Sequence, residues 1–195
     1  MNRPFAESAE QNKHVIYDVI EPYLNGDVLE IGSGTGQHAV FFASQSPAIS
    51  WQATDLESSL PGIEAWIEAS GLDNLPPPLA LDVLGDWPDR GYDVIYSANC
   101  FHIMGAPEVA GCIAGVGGCL RAGGVFAVYG PFNYQGRYTS ESNARFDQML
   151  KKRDPASGIR DFDWLDGLAR NAGLELIEDV PMPANNRILI WQKRT

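Results

Sequence analysis

Short apolar runs and longer amphipathic stretches alternate along this chain. Val15, Ile16, Val19 and Ile20 recur at helical spacing and predict an opening helix over residues 9–24. Apolar runs at 27–31 and 50–54 predict two strands, separated by a helical stretch over 37–44. A helix follows over about 60–70, and three prolines at 76–78 enforce an extended approach to a short strand at 79–81. Residues 92–97 and 124–129 read as the fourth and fifth strands. The helix predicted between them, over 107–120, carries four glycines and is poor by propensity. Helices are expected over 141–152 and 162–171, the second stopped by Gly173. Segments 174–180 and 187–192 read as a closing strand pair. This alternation predicts an α/β chain with a doubly wound, mostly parallel sheet of about seven strands and an antiparallel C-terminal strand pair. A length of 195 residues suits one domain spanning 1–195.

Composition narrows the partners. Hydrophobic residues make up 45% of the chain, enough for a core, yet no apolar run approaches the roughly 18 residues of a membrane helix. The opening Met1-Asn2-Arg3-Pro4-Phe5 has no secretory h-region. A formal net charge of −11 argues against nucleic acid or an anionic membrane as partner and favours a neutral or cationic small ligand. Cys112 and Cys119 lie seven apart in a predicted helix, about 10 Å by helical rise and too far to bridge, and Cys100 stands alone. A reduced, cytoplasmic chain is expected. His14, His38 and His102 lack metal-ligand spacing, so no metal site is expected.

The richest segment runs from Asp27 to Gln37. The first strand carries Glu30 near its end and enters glycines at every second position, Gly32, Gly34 and Gly36, before a helix. Such a strand–loop–helix presents free N–H groups to a nucleotide-like ligand. The dinucleotide fingerprint needs its third glycine where Gln37 stands, and no Lys-Ser/Thr follows to make a phosphate loop. The E-x-G-x-G-x-G pattern instead resembles motif I of class I S-adenosylmethionine (SAM) dependent methyltransferases. A Rossmann-like methyltransferase fold is then implied, with Glu30, Gly32, Ser33, Gly34 and Gly36 around SAM.

Ligands in such sheets sit beyond the carboxyl ends of the strands, at the switch point. Asp55 ends strand two, 19 positions after Gly36, where similar methyltransferases carry an acidic residue for the ribose hydroxyls; a turn or helix-cap aspartate is the plainer reading. Leu56 would lie against the adenine. By the same resemblance Asp82 would accept from the adenine amino group with Val83 beside it, or serve only the turn.

After strand four, Asn99 is a candidate for cofactor or substrate contact. His102 is a candidate general base, or a residue that packs at a helix start. Cys100 reads as a small buried hydrophobe, with no partner base to make it a nucleophile. Residues 131–161 would form a lid or substrate-side insertion, with Phe132, Tyr134 and their polar neighbours at the mouth of the site. Asn185 and Asn186 reach the same mouth or cap their own turn. From the opening helix Glu7, Asn12 or Tyr17 would face the methionine end of SAM.

The resemblance extends to Glu10-Gln11-Asn12-Lys13, Ser97-Ala98-Asn99-Cys100-Phe101-His102, Gly130-Pro131-Phe132, Ser142-Asn143-Ala144-Arg145-Phe146-Asp147, Gly158-Ile159-Arg160-Asp161 and Pro183-Ala184-Asn185-Asn186-Arg187. Together these are similar to a methyltransferase-like family catalogued as a domain of unknown function, whose members tend to have a basic residue where Gln11 stands. The expected activity is methyl transfer from SAM to an O, N or S atom of a small molecule. No Asp/Asn-Pro-Pro-Tyr/Phe motif follows strand four, which weighs against amide or nucleobase N-methylation. The alternatives are a protein that binds SAM or S-adenosylhomocysteine (SAH) without transfer, another enzyme on the same fold, and an interaction module.

Overall fold

A computed structural model describes residues 3–195. Helix α1 (Glu7–Ile20) gives way to a single 3₁₀ turn, Glu21–Tyr23. Pro22 in that turn has no N–H to continue an α-helical ladder, so the opening helix closes sooner than its apolar spacing predicts; it also starts two residues earlier, at Glu7. Then come β1 (Asp27–Ile31), α2 (Gln37–Gln45), β2 (Ser50–Asp55), α3 (Leu60–Ser70), β3 (Leu79–Ala80), β4 (Tyr92–Ala98), α4 (Ala106–Cys119) and β5 (Leu120–Gly130). The chain continues through β6 (Phe132–Asn133), α5 (Glu141–Arg153), β7 (Arg160–Asp161), α6 (Phe162–Asn171), β8 (Leu174–Met182) and β9 (Asn186–Lys193).

Seven strands form one sheet in the order β3-β2-β1-β4-β5-β9-β8. β3, β2, β1, β4 and β5 run parallel, and β9 is antiparallel to both β5 and β8. The strand order reverses between β1 and β4, and the crevice opens beyond their carboxyl ends. A separate parallel pair, β6 with β7, had no counterpart in the sequence reading. It ties Phe132 to Arg160 and Asn133 to Asp161, joining the two ends of the 131–161 excursion.

Strand residues alternate between two apolar layers, as a sheet covered on both faces requires. In β5, Phe126 and Val128 face α4 and α6, whereas Val125, Ala127 and Tyr129 face the layer of α1, α2 and α3. The glycines of α4 have a packing reason. A Cβ on Gly115 would lie 2.0 Å from the Trp87 ring, and one on Gly117 would lie 2.7 Å from the Ala172 carbonyl. Close approach to the neighbouring chain therefore overrides the weak helix propensity. Cys112 and Cys119 are buried free thiols. Among the described residues no helix is long and apolar enough to cross a membrane.

Candidate functional site

The loop after β1 is braced from below by a buried carboxylate. Glu30 Oε2 accepts from Ser33 Oγ (2.8 Å) and from Trp51 Nε1 (3.0 Å). Ser33 in turn is stitched to β2, its amide donating to the Thr54 carbonyl and its hydroxyl accepting from the Thr54 amide. Burial pushes the Glu30 carboxyl up to about 7, with the negative charge of Asp55 adding to the effect and the two donors opposing it.

The three glycines hold positive φ and do different work. Gly32 leaves room for Cys100, whose Sγ would be 2.3 Å from a Cβ there. Gly36 seats the first turn of α2 against Ile63. Gly34 faces open space, and its amide donates to Asp55 Oδ2 at 2.8 Å. Gln37 occupies the position where a dinucleotide fingerprint would place glycine. Its buried Oε1 accepts from the Ala6 amide (2.6 Å), supplying the cap that the first turn of α1 lacks. α1 is thereby pinned over the loop, and Ala6, Ser8 and Ala9 wall one side of the crevice.

The crevice is a cavity of about 710 Å³. Glu30 lines it from β1 and Gly32, Ser33 and Gly34 from the loop that follows, Asp55 and Leu56 from the end of β2, Asp82 and Val83 from the turn after β3, and Asn99 and Cys100 from the turn after β4. Asp82 also serves its turn, Oδ1 accepting from the Leu84 amide at 3.0 Å. Leu56, Leu84 and Ile103 are more than half exposed, yet all three line this one cavity. Exposed apolar side chains converging on a concave site with fixed carboxylates fit a flat, partly apolar ligand that carries hydroxyl and amino groups. The residues present therefore suit an adenosine-type cofactor.

A second cavity of about 560 Å³ adjoins the first, and Ser8, Asn99 and Ile103 line both. Its own walls are His102 and Pro131, the α5 residues Ser142, Asn143 and Phe146, and Ala184, Asn185 and Asn186 from the β8–β9 turn. Asn99 stands at the junction in a left-handed conformation (φ 59°), its amide donating to the Tyr129 carbonyl. His102 is buried, with its ring edge-on to Phe146 at 5.2 Å. Burial, aided by the positive charge of Arg160, lowers its pKa to about 4, so the imidazole is neutral near pH 7. Cys100 has the opposite character: burial pushes its thiol up to about 12, which removes any thiolate at neutral pH.

Several expected site residues are corrected. Phe132 is in the core beneath α4 and α6 and lines neither cavity, because β6 pairing turns it inward. Tyr134 stacks on Phe162 and donates its hydroxyl to Asp179 at 2.8 Å, away from both cavities. Asn12 lies behind the first cavity, its Oδ1 paired with His38 Nε2 at 2.8 Å. Gly36 is not on the cavity wall, because the helix it opens carries it into contact with α3. Asn186 does line the second cavity. Ser8 and Ile103 were not expected at the site, and Ser142, Asn143 and Phe146 were expected only as part of the 131–161 segment. Helical spacing, which puts 142, 143 and 146 on one face of α5, is a signal that singles them out within that segment.

With this sheet order and glycine loop, the chain has the class I SAM-dependent methyltransferase fold. It superposes on an O-methyltransferase family protein from Burkholderia thailandensis with a TM-score of 0.86 and 18% identity, over 96% of this chain and 57% of that one. An O-methyltransferase-like protein from Nostoc punctiforme gives 0.83 at 16% identity, over 95% and 56%. The SAM-dependent methyltransferase SibL, solved without ligand, gives 0.82 at 19% identity, over 96% and 56%. The chain thus spans a little over half the length of these proteins. It belongs to the family described as Protein of unknown function (DUF938), whose model matches residues 3–193.

Proposed function

We propose that this chain transfers a methyl group from SAM, held in the larger cavity, to a small-molecule acceptor held in the smaller one. The observation that carries the reading is the shared wall of Ser8, Asn99 and Ile103, which puts a cofactor-sized and a substrate-sized space side by side. When bound, SAM supplies an electrophilic methyl group on a sulfonium centre. The Asp55 carboxylate, already held by the Gly34 amide, would accept from the ribose hydroxyls. Asp82 would take the adenine amino group, while Leu56 and Val83 cover the ring. Asn99 would orient the reacting groups at the junction. His102, neutral and on the wall of the acceptor cavity, would remove the acceptor proton as a general base. Such transfer depends chiefly on alignment and exclusion of water. Solved proteins of the same fold described as SAM-dependent or O-methyltransferases support the reading.

Thermal unfolding with SAM, SAH and NAD tests the cofactor. Ligand at about 100 times its dissociation constant stabilises by about 2.7 kcal/mol, or about 5–10 °C for a domain of this size. A shift with SAM and SAH alone is expected. A shift with NAD alone, or none with millimolar SAH, removes the proposal. Binding without transfer to any acceptor leaves the SAM/SAH-binding alternative.

A further inference from the structure

We infer that the smaller cavity selects an uncharged acceptor bearing several hydroxyl groups on a ring, and that asparagine carbonyls recognise it. The inference rests on the reading of that cavity as the acceptor site. No carboxylate, ammonium or guanidinium lines it. The nearby charges are committed elsewhere. Arg160 donates to the carbonyls of Phe101, Met104 and Ala156, while Asp147 is taken by the Ile159 amide, Tyr138 and Lys151. Asp179 and Arg187 pair with each other. An ion entering this cavity would lose its hydration and find no counter-charge.

Hydrogen-bond accounting fixes which way the site is polar. Asn143 Nδ2 donates to Thr139 Oγ1 and to the Asn185 carbonyl, at 2.9 and 3.0 Å. Asn185 Nδ2 donates to Ser142 Oγ at 3.1 Å. Asn186 Nδ2 donates to the Tyr129 hydroxyl and to the Pro183 carbonyl, at 2.9 and 3.3 Å. A backbone carbonyl can only accept, so the amide orientations of Asn143 and Asn186 are settled. The amide nitrogens of Asn143, Asn185 and Asn186 thus have partners inside the protein, while none of their three Oδ1 atoms receives a hydrogen bond from a described residue. The His102 ring nitrogens likewise have no hydrogen-bond partner among the described residues. Between apolar walls of Phe146, Ile103 and Pro131 the cavity offers these three carbonyl oxygens as acceptors, beside the Ser8 hydroxyl, the Asn99 amide and the neutral His102 ring, and hydroxyl groups on a flat molecule, which both donate and accept, complement it.

Calorimetry on SAH-saturated protein with four ring-matched probes decides the matter: catechol, its dimethyl ether veratrole, benzoate and benzylammonium. Catechol is expected to bind tightest, with veratrole weaker by about tenfold or more for two lost hydrogen bonds. Benzoate and benzylammonium are expected to bind more weakly than veratrole. Asn185 is exposed and left-handed, a conformation aspartate tolerates, so Asn185→Asp is expected to keep the fold and raise benzylammonium affinity severalfold. Equal binding of veratrole, tighter binding of either ion, or no binding of any probe overturns the inference. If SAH does not bind, the same titrations on the cofactor-free protein decide with the same criteria. Mass spectrometry with SAM separates the two claims. Catechol binding without methyl transfer removes the proposed activity and leaves the selectivity standing, and transfer with reversed selectivity does the opposite.

Discussion

The Gly34 amide donates a 2.8 Å hydrogen bond to Asp55 Oδ2, joining the glycine loop after β1 to the end of β2 across 21 residues of sequence. The other carboxylate oxygen accepts from the Leu56 amide at 2.7 Å. The aspartate is therefore oriented by the backbone on both sides before any ligand arrives, and the loop is held by the same group that would meet the ribose. Preorganisation of this kind lowers the entropic cost of binding.

Asp55→Ala is expected to weaken SAH binding by about tenfold to a hundredfold, the loss of one or two hydrogen bonds to a charged group. Asp55→Asn keeps one acceptor oxygen and should fall between. Calorimetric titration reads both, and an Asp55→Ala protein with the parent's affinity would remove the ribose assignment.

His102→Gln should leave SAH affinity at the parent value, because His102 does not line the larger cavity. Methyl transfer should drop by about a hundredfold or more if the imidazole takes the acceptor proton. The folded pKa of about 4 predicts a parent rate with no inflection near 6.5 and a decline only as pH falls toward 4. A rate that titrates near 6.5, or a variant as fast as the parent, would rule out this role.

Two glycine substitutions should behave differently. Gly34→Ala meets no atom within 4 Å, so its cost is the left-handed backbone alone, about 1–2 kcal/mol. Gly32→Ala adds a clash with Cys100 Sγ, and removing that sulfur leaves only an ordinary 3.5 Å contact with Cβ. Gly32→Ala combined with Cys100→Ala should therefore lose less stability than the sum of the single variants. Strict additivity in urea unfolding would contradict the packing argument.

Stability should depend on pH through three buried groups. His38 and His102 have folded pKa values near 4, below the ordinary 6.5 and caused first by burial, so their neutral forms favour the fold above 6.5 and that stability is lost as pH falls toward 4. Glu30 has the opposite sign. Its pKa, raised to about 7, contributes stability that is full below 4.5 and lost as pH rises through 7. Between about 4.5 and 6.5 the two histidines outweigh the one carboxyl, and stability should rise by at most about 1.4 kcal/mol per pH unit. From about 6.5 to 7.5 it should fall slightly in the parent and stay flat in Glu30→Gln. Unfolding free energies measured across pH check both slopes.

Much of the architecture was legible in the chain because it is locally encoded. Apolar period gave the strands and helices, and the glycine spacing with Gln37 at the discriminating position pointed to the cofactor class. Asp55 was legible because a strand end in a doubly wound sheet has a known place relative to the crevice. What stayed hidden depends on side-chain direction and on pairing at a distance. Nothing local in Phe132 or Tyr134 says that a two-residue ladder with β7 turns them away from the mouth of the site.

The sequence by itself therefore determined the layer architecture, the glycine loop and the acidic strand ends beside it, because periodicity and glycine conformation act within a few residues. Only the tertiary structure decided the smaller cavity. Its walls come chiefly from the end of β4, the face of α5 and the β8–β9 turn, segments spread over more than 80 residues of the chain. No segment among them carries the cavity alone; sheet order and the antiparallel return of β9 bring them together.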